Sequence, residues 1–335
     1  VTDSVAPVGD LDVVGIGNAL VDVLTHEEES FIAEHDLVKG AMTLVDTERA
    51  EELYAAMAHA IEASGGSAAN TIAGIASFGG RAAYIGRVFD DQLGAVFAHD
   101  LRASGAVFRS APATEGPPTG RCLIVVTPDA QRTMNTYLGA SEFLGPEDVD
   151  GDLIAAAKVT YLEGYLFDRP EAQEAYWKAS RIAHDAGRQV SLTLSDTFCV
   201  ERHKQAWRSL VTDQVDILFA NEGEAKALYD VDTLDEVLEH VKADVEIGAV
   251  TCGPRGSLVV HAGEVIDVAA HLTEHVIDTT GAGDLYAAGF LYGLTSGRDL
   301  DACGRLGSVA ATEVLATTGP RPVRSLAQVV DALGL

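Results

Sequence analysis

Asp278-Thr-Thr-Gly-Ala-Gly-Asp284, running straight into Leu285-Tyr-Ala-Ala-Gly-Phe-Leu-Tyr-Gly-Leu294, is the stretch whose reading decides the fold. Glycine tolerates positive φ and carries no side chain, so the Gly281-Ala282-Gly283 turn can present bare backbone N–H groups. The apolar run that follows predicts a helix starting at Asp284, with Ala287-Ala288-Gly289 making it apolar nearly all round and hence buried. Those N–H groups then stand at a helix N-terminus, where unpaired donors and the dipole favour an anion. Asp284 adds a carboxylate beside that anion site. Two negative groups repel there, unless the carboxylate takes a proton from a hydroxyl attacking a phosphoryl group held by the turn. A bare G-A-G-D also suits a helix cap on a glycine turn, so the surrounding chain has to decide.

Outward from this stretch, composition narrows the class. With 335 residues, the chain can bury one large core. Its 33 glycines and 6% aromatic content suit an α/β protein with closely packed, small-residue helices. A net charge of −28 argues against nucleic acid or an anionic membrane as partner. Cys122, Cys199, Cys252 and Cys303 are widely spaced with no CxxC, which reads as reduced thiols. No run reaches the roughly 18 apolar residues of a membrane span, and Val1 to Asp12 lacks a signal-peptide core. The expectation is a cytoplasmic protein, monomer or homodimer.

Along the chain, Asp12-Val-Val-Gly-Ile-Gly17 predicts a first buried strand. Gly15-x-Gly17 invites a dinucleotide-binding reading, but Leu20 stands at the third glycine position and Leu20 to Leu24 alternate as a strand. Asp22, just past the first strand, is placed to meet a polar ligand. Glu27 to Leu37 predicts a short helix and Met42 to Asp46 a strand. Ser64-Gly-Gly-Ser67 opens a helix over Ala68 to Phe78, and Asn70 lies in its first turn beside the Gly65-Gly66 bend. From Val107 to Tyr137 two consecutive strands flank Thr127-Pro-Asp-Ala, unlike the β–α alternation elsewhere. These, with residues about 18–46, predict a small separate sheet inserted in a single domain spanning 1–335. Arg132, in its second strand, can meet a phosphate or sit on the surface.

Alternation then resumes, with buried parallel strands near 159–163, 189–194, 215–220 and 247–251 and helices near 171–186, 202–212, 222–229 and 234–243. A hairpin follows over Ser257 to Val268. In an open parallel sheet, ligands bind beyond the C-terminal strand ends. Asp22, Gly65-Gly66, Glu163-Gly164-Tyr165, Asn221-Glu-Gly-Glu224, Thr251-Cys-Gly253 and Gly281 to Asp284 all fall there. Asn221 and Glu224 share a face at i and i+3, so they can hold water-coordinated Mg²⁺ or simply cap their helix.

Together these motifs resemble the ribokinase-like (PfkB) family of carbohydrate and nucleoside kinases. Asp278 to Asp284 resembles its C-terminal signature, Gly65-Gly66-Ser-Ala-Ala-Asn70 its N-terminal one, and Asn221 to Glu224 and Thr251 to Gly256 its interior motifs. The resemblance implies a three-layer αβα sandwich with a mostly parallel central sheet and a small β lid. It implies ATP and Mg²⁺, with Asp284 as catalytic base and Gly281, Ala282 and Gly283 as anion hole. Asn18, Asp22, Gly65, Gly66, Asn70, Arg132 and Tyr165 would then bind substrate. Asn221 and Glu224 would organise Mg²⁺ and phosphates; Thr251, Gly253 and Gly256 would border ATP. Asp278 and Thr280 match positions that often hold a monovalent cation such as K⁺. Gly15 to Asp22, Gly164-Tyr165 and Arg132 to Ala140 look most like adenosine-kinase-type members, which implies adenosine converted to AMP. A family sugar kinase acting on ribose, fructose or a keto-deoxy acid is the alternative. Tyr165-Leu166 replaces the phenylalanine pair of animal adenosine kinases, leaving Tyr165 or Phe167 to offer an aromatic face.

Overall fold

Period-two alternation along the β-branched runs sets the architecture. In Ile217-Leu-Phe-Ala220, Ile217 and Phe219 enter one apolar cluster while Leu218 and Ala220 enter another. A strand that is apolar on both sides must be covered on both faces. The computed structural model, which describes residues 9–129, 131–273, 275–317 and 319–335, does this in three αβα layers. Its strands are β1 (Leu11–Ile16), β2 (Leu20–His26), β3 (Met42–Leu44), β4 (Ile61–Gly65), β5 (Ala82–Ile85), β6 (Val107–Phe108), β7 (Thr119–Val126), β8 (Arg132–Gly139), β9 (Ala157–Glu163), β10 (Gln189–Thr193), β11 (Ile217–Asn221), β12 (Ile247–Thr251), β13 (Ser257–His261) and β14 (Glu264–Val268).

The main sheet has the order β14-β13-β12-β11-β10-β9-β1-β5-β6. It is parallel from β12 to β6, with the β13–β14 hairpin antiparallel at one edge. Helices Ser67–Ser77, Gln92–Ala103, Ala282–Thr295, Leu300–Leu315 and Leu326–Leu333 bury their apolar sides in the first cluster. Helices Pro170–Asp185, Lys204–Gln214 and Leu234–Asp244 are among those that bury theirs in the second. Small residues let the helices nearest the site close up. A Cβ on Gly74 would stand 2.7 Å from the Ala288 Cβ, and one on Gly289 2.4 Å from the Leu306 carbonyl oxygen. The Ala282–Thr295 helix thereby packs closely against helices Ser67–Ser77 and Leu300–Leu315.

A second sheet, β3-β8-β7-β2-β4, draws its strands from two regions of the chain. β2 pairs β7 in parallel and β4 antiparallel, opposing Asp22 to Cys122 and to Ala63. Several details differ from the sequence expectation. Val107–Phe108 pairs with β5 at the edge of the main sheet rather than joining the second one. Ile61–Gly65 supplies an additional strand, which has no alternation to announce it because only Ser64 and Gly65 are buried. The single helix expected over 202–212 is two, Thr197–Arg202 and Lys204–Gln214, broken where His203 takes non-helical angles.

Candidate active site

The parallel strands deliver their C-terminal ends to one cavity of about 990 Å³, lined by Asn18 after β1, Glu163 of β9, Thr193 of β10, Asn221 of β11 and Thr251 of β12. The second sheet faces the same space with Leu20, Asp22, Cys122, Ile124, Met134 and Leu138. Gly281, Gly283 and Asp284 line it from the start of the Ala282–Thr295 helix.

Gly281 is the N-cap of that helix at φ +79°, and a Cβ there would meet Pro320 at 2.8 Å. Only glycine fits both demands. The Ala282 N–H, expected in the anion hole, instead donates to the Thr279 carbonyl at 3.3 Å. The turn's N–H groups without a hydrogen-bond partner among the described residues are those of Gly281, Gly283 and Asp284. The Asp284 carboxylate accepts from Ser67 Oγ at 2.7 Å on Oδ1 and from Asn70 Nδ2 at 3.1 Å on Oδ2. Burial pushes its pKa up, while Ser67, Asn70 and Arg321 pull against that rise. The sequence reading assigned no role to Ser67 or Arg321.

Asp22 faces the cavity with no hydrogen bond to its carboxylate among the described residues, and burial pushes its pKa up to about 6. Gly65 lies against it: a Cβ there would stand 2.4 Å from Asp22 Oδ1. Gly66, at φ +96°, passes so close to Asn18 that a Cβ would fall 2.3 Å from its carbonyl oxygen. Asn18 was expected to face substrate, but its amide is used internally. Oδ1 accepts from Ser141 Oγ at 2.9 Å and Nδ2 donates to Glu163 Oε1 at 2.9 Å. Glu163 also accepts from the Asn18 and Ala68 backbone N–H groups, tying both glycine-rich loops to the end of β9. Tyr165 lines the cavity with its hydroxyl on the Ser195 carbonyl at 3.1 Å. Phe167 is stacked on Trp207 in the core, centroids 3.9 Å apart, and offers no face to a ligand.

Asn221 and Glu224 form a capping box at the start of helix Glu222–Tyr229, with three hydrogen bonds between them. Glu224 nevertheless lines the cavity, and burial raises its pKa to about 7. A carboxylate short of positive charge, with acceptor capacity left on each oxygen, fits the hydration shell of Mg²⁺, which reaches proteins largely through water. Thr251 lines the cavity, whereas Gly253 and Gly256 turn the chain behind it. The monovalent-cation reading of Asp278 and Thr280 meets a different occupant. The Arg132 guanidinium pairs with Asp278 and lies 3.4 Å from Thr280 Oγ1. Asp278 also accepts from the backbone N–H groups of Thr280 and Gly319. Arg132 was expected over a phosphate and instead ties β8 to the signature loop.

The cavity carboxylates make a testable statement about stability. Asp22 titrates at about 6 and Glu163 and Glu224 at about 7 because burial disfavours their charge. Unfolded, such groups titrate near 4, so between about pH 4 and 7 the folded state binds more protons. Stability is therefore gained as pH falls through that window and lost as it rises. We expect the ligand-free protein to be about 1–3 kcal/mol more stable at pH 6 than at pH 8. Surface repulsion in so acidic a protein acts in the same direction but is screened by salt. Thermal melts in high salt isolate the buried groups, and a pH-independent melting temperature there contradicts the assignment.

Residues 37–325 match the pfkB family carbohydrate kinases. The crystal structure of adenosine kinase from Sinorhizobium meliloti is 52% identical, with a TM-score of 0.89 over 97% of this chain and 100% of that one. A probable sugar kinase from Rhizobium etli is 49% identical, with a TM-score of 0.90 over 98% and 99%. The 5-dehydro-2-deoxygluconokinase of Bacillus velezensis is 30% identical over 75% of this chain and 79% of its own length. With a glycine turn, a cavity at the strand ends and a match across most of its length, the chain belongs to the pfkB family of carbohydrate kinases and is an ATP-dependent phosphotransferase with an alcohol acceptor.

Proposed function

We propose that this kinase phosphorylates the primary 5′-hydroxyl of a ribonucleoside, converting adenosine to AMP, with the second sheet acting as a lid over the nucleoside. The observation that carries the reading is the two-sided lining of the cavity. An unpaired carboxylate, Asp22, suits ribose hydroxyls, while Leu20, Cys122, Ile124, Met134 and Leu138 offer an apolar slot beside it. A planar base covers such a slot; a free sugar, with hydroxyls all round, would leave it facing polar groups. The similarity to the Sinorhizobium meliloti adenosine kinase supports the same reading.

In this mechanism Asp22 takes the ribose hydroxyls and leaves the 5′-oxygen near Asp284. The 5′-oxygen attacks the γ-phosphorus of ATP, the bond to the ADP oxygen breaks, and the hydroxyl proton passes to Asp284. Ser67 and Asn70 hold the Asp284 carboxylate in place for that transfer. The Gly281, Gly283 and Asp284 N–H groups face the oxygens on which charge gathers. Mg²⁺, when bound with ATP, neutralises phosphate charge, and Glu224 with Asn221 would hold it through water.

Initial rates with adenosine, inosine, ribose, fructose and a keto-deoxy sugar acid, each with MgATP, test the substrate class. We expect adenosine to exceed every free sugar by at least about 10² in kcat/KM, since the apolar slot contributes only when a base fills it. The sugar-kinase reading is favoured by the Rhizobium etli and Bacillus velezensis relatives. Preference for any sugar over adenosine would replace the nucleoside with that sugar.

A further inference from the structure

Arg321 enters the site from beneath, through the loop after Gly319-Pro320 that packs on the signature turn. Its Nε donates to Asn70 Oδ1 at 3.2 Å and its Nη1 to Ser64 Oγ at 2.7 Å. Nη2 is buried without a hydrogen-bond partner among the described residues. Asn70 Oδ1 is thereby committed, so its Nδ2 must point the other way, to Asp284 Oδ2 at 3.1 Å. The amide can make this pair of bonds in only one orientation, because Oδ1 accepts and Nδ2 donates.

We infer that Arg321 is a positioning residue for the phosphoryl transfer: it fixes the Asn70 amide that grips the base and brings a positive charge toward Asp284 and Asp22 beneath the substrate. The inference rests on the reading of Asp284 as the base. A guanidinium suits this place, since it stays charged when buried and its planar fork serves two acceptors at once. An acidic protein has particular need of it, because the cavity gathers Asp22, Glu163, Glu224 and Asp284, while the arginine that lines it, Arg202, is paired with Asp168.

The charges that face the pair are few. Arg321 is met by Asp22 from β2, Asp100 from helix Gln92–Ala103, the Tyr84 phenol from β5 and Asp284. Asp100 is already engaged by the Ser64 N–H at 3.0 Å. Asp284 is felt by Asp22, Glu163, Glu224, Tyr161 and Tyr165, and the two phenols are pushed far above neutrality and stay uncharged. Arg132 reaches Asp22 but is held by Asp278. Removing Arg321 therefore leaves Asp284 among carboxylates with no compensating charge, and its proton must bind more tightly.

The test is the pH profile of kcat/KM for the preferred substrate. Arg321→Met should shift the acid limb upward by about one pH unit, so that activity on that limb falls roughly tenfold more than activity on the alkaline plateau. Arg321→Lys keeps the charge and loses the Asn70 contact. Its acid limb should stay near that of wild type while kcat drops by about tenfold, KM changing little. An Arg321→Met profile superimposable on wild type, or scaled down equally at every pH, overturns the inference. Should that variant not fold, Arg321→Lys decides: wild-type kcat, or an acid limb displaced as for a neutral residue, overturns it. Asp284→Asn separates the two readings. If that variant stays active with an unchanged acid limb, the base is wrong; if it is inactive while Arg321→Met leaves the limb in place, only the role of Arg321 fails.

Discussion

Asp284→Asn is expected to fold, bind ATP and lose about 10²–10⁴ in kcat, the range a general base contributes. The substitution changes charge and not shape. An amide oxygen can still accept from Ser67 or Asn70, which meet the carboxylate at 2.7 and 3.1 Å, so the helix start and the glycine turn should survive. What disappears is the only step in which this side chain takes part, acceptance of the hydroxyl proton. Because burial raises the Asp284 pKa, wild-type activity should fall with decreasing pH sooner than for an ordinary carboxylate, the ionised form being the active one. The residual activity of Asp284→Asn should lack this acid limb. Single-turnover measurement at saturating MgATP and acceptor, alongside a thermal melt, checks both points. A variant with wild-type turnover, or one whose loss follows from unfolding, would remove Asp284 from the chemistry.

Much of this arrangement is legible before any coordinates, and the legible part has a common origin. Local chemistry announces Gly281 and Gly66, because a turn ahead of an apolar helix needs positive φ wherever it sits. Hydrophobic alternation announces the strands, and the strand ends then point to Glu163, Asn221 and Thr251 through the geometry of parallel sheets alone. What escapes is whatever depends on distant pairing. Arg321 reaches Asn70 across 251 positions, and nothing around it distinguishes a buried arginine from a surface one. Arg132 looks like a phosphate ligand until Asp278, 146 residues away, is seen beside it. Asn18 has partners the sequence does not announce. Its position after a strand end suits the cavity wall, where it lies, and its amide is also held by Ser141 and Glu163 from distant parts of the chain. Helix Thr47–Ala56 carries a readable signal in Asp46, whose side chain caps it on Arg49 N, but with Ala50 and Leu53 as its buried residues it has no broad apolar stripe to announce it.

Asp22→Ala is expected to separate binding from stability in opposite directions. The carboxylate lines the cavity, is raised to about 6 and meets no donor among the described residues, so in the ligand-free protein the charges of Arg321 and Arg132 offset its desolvation only in part. Removing such a group relieves the fold, and the melting temperature at pH 8 should stay level or rise. The substrate complex should suffer instead. Two charge-assisted hydrogen bonds to vicinal ribose hydroxyls contribute roughly 1.5–3 kcal/mol each, so kcat/KM should fall by about 10²–10⁴, chiefly through KM. The loss should also be specific to the hydroxyls Asp22 is proposed to hold. Wild-type enzyme should prefer adenosine to 2′-deoxyadenosine, and in Asp22→Ala that preference should shrink toward unity, because the residue and the hydroxyl form the two sides of one thermodynamic cycle. ATP affinity, read in the same variant, should not move. A fall in melting temperature with KM unchanged would make Asp22 a structural carboxylate, and preserved discrimination between the two nucleosides would place the ribose somewhere else in the cavity.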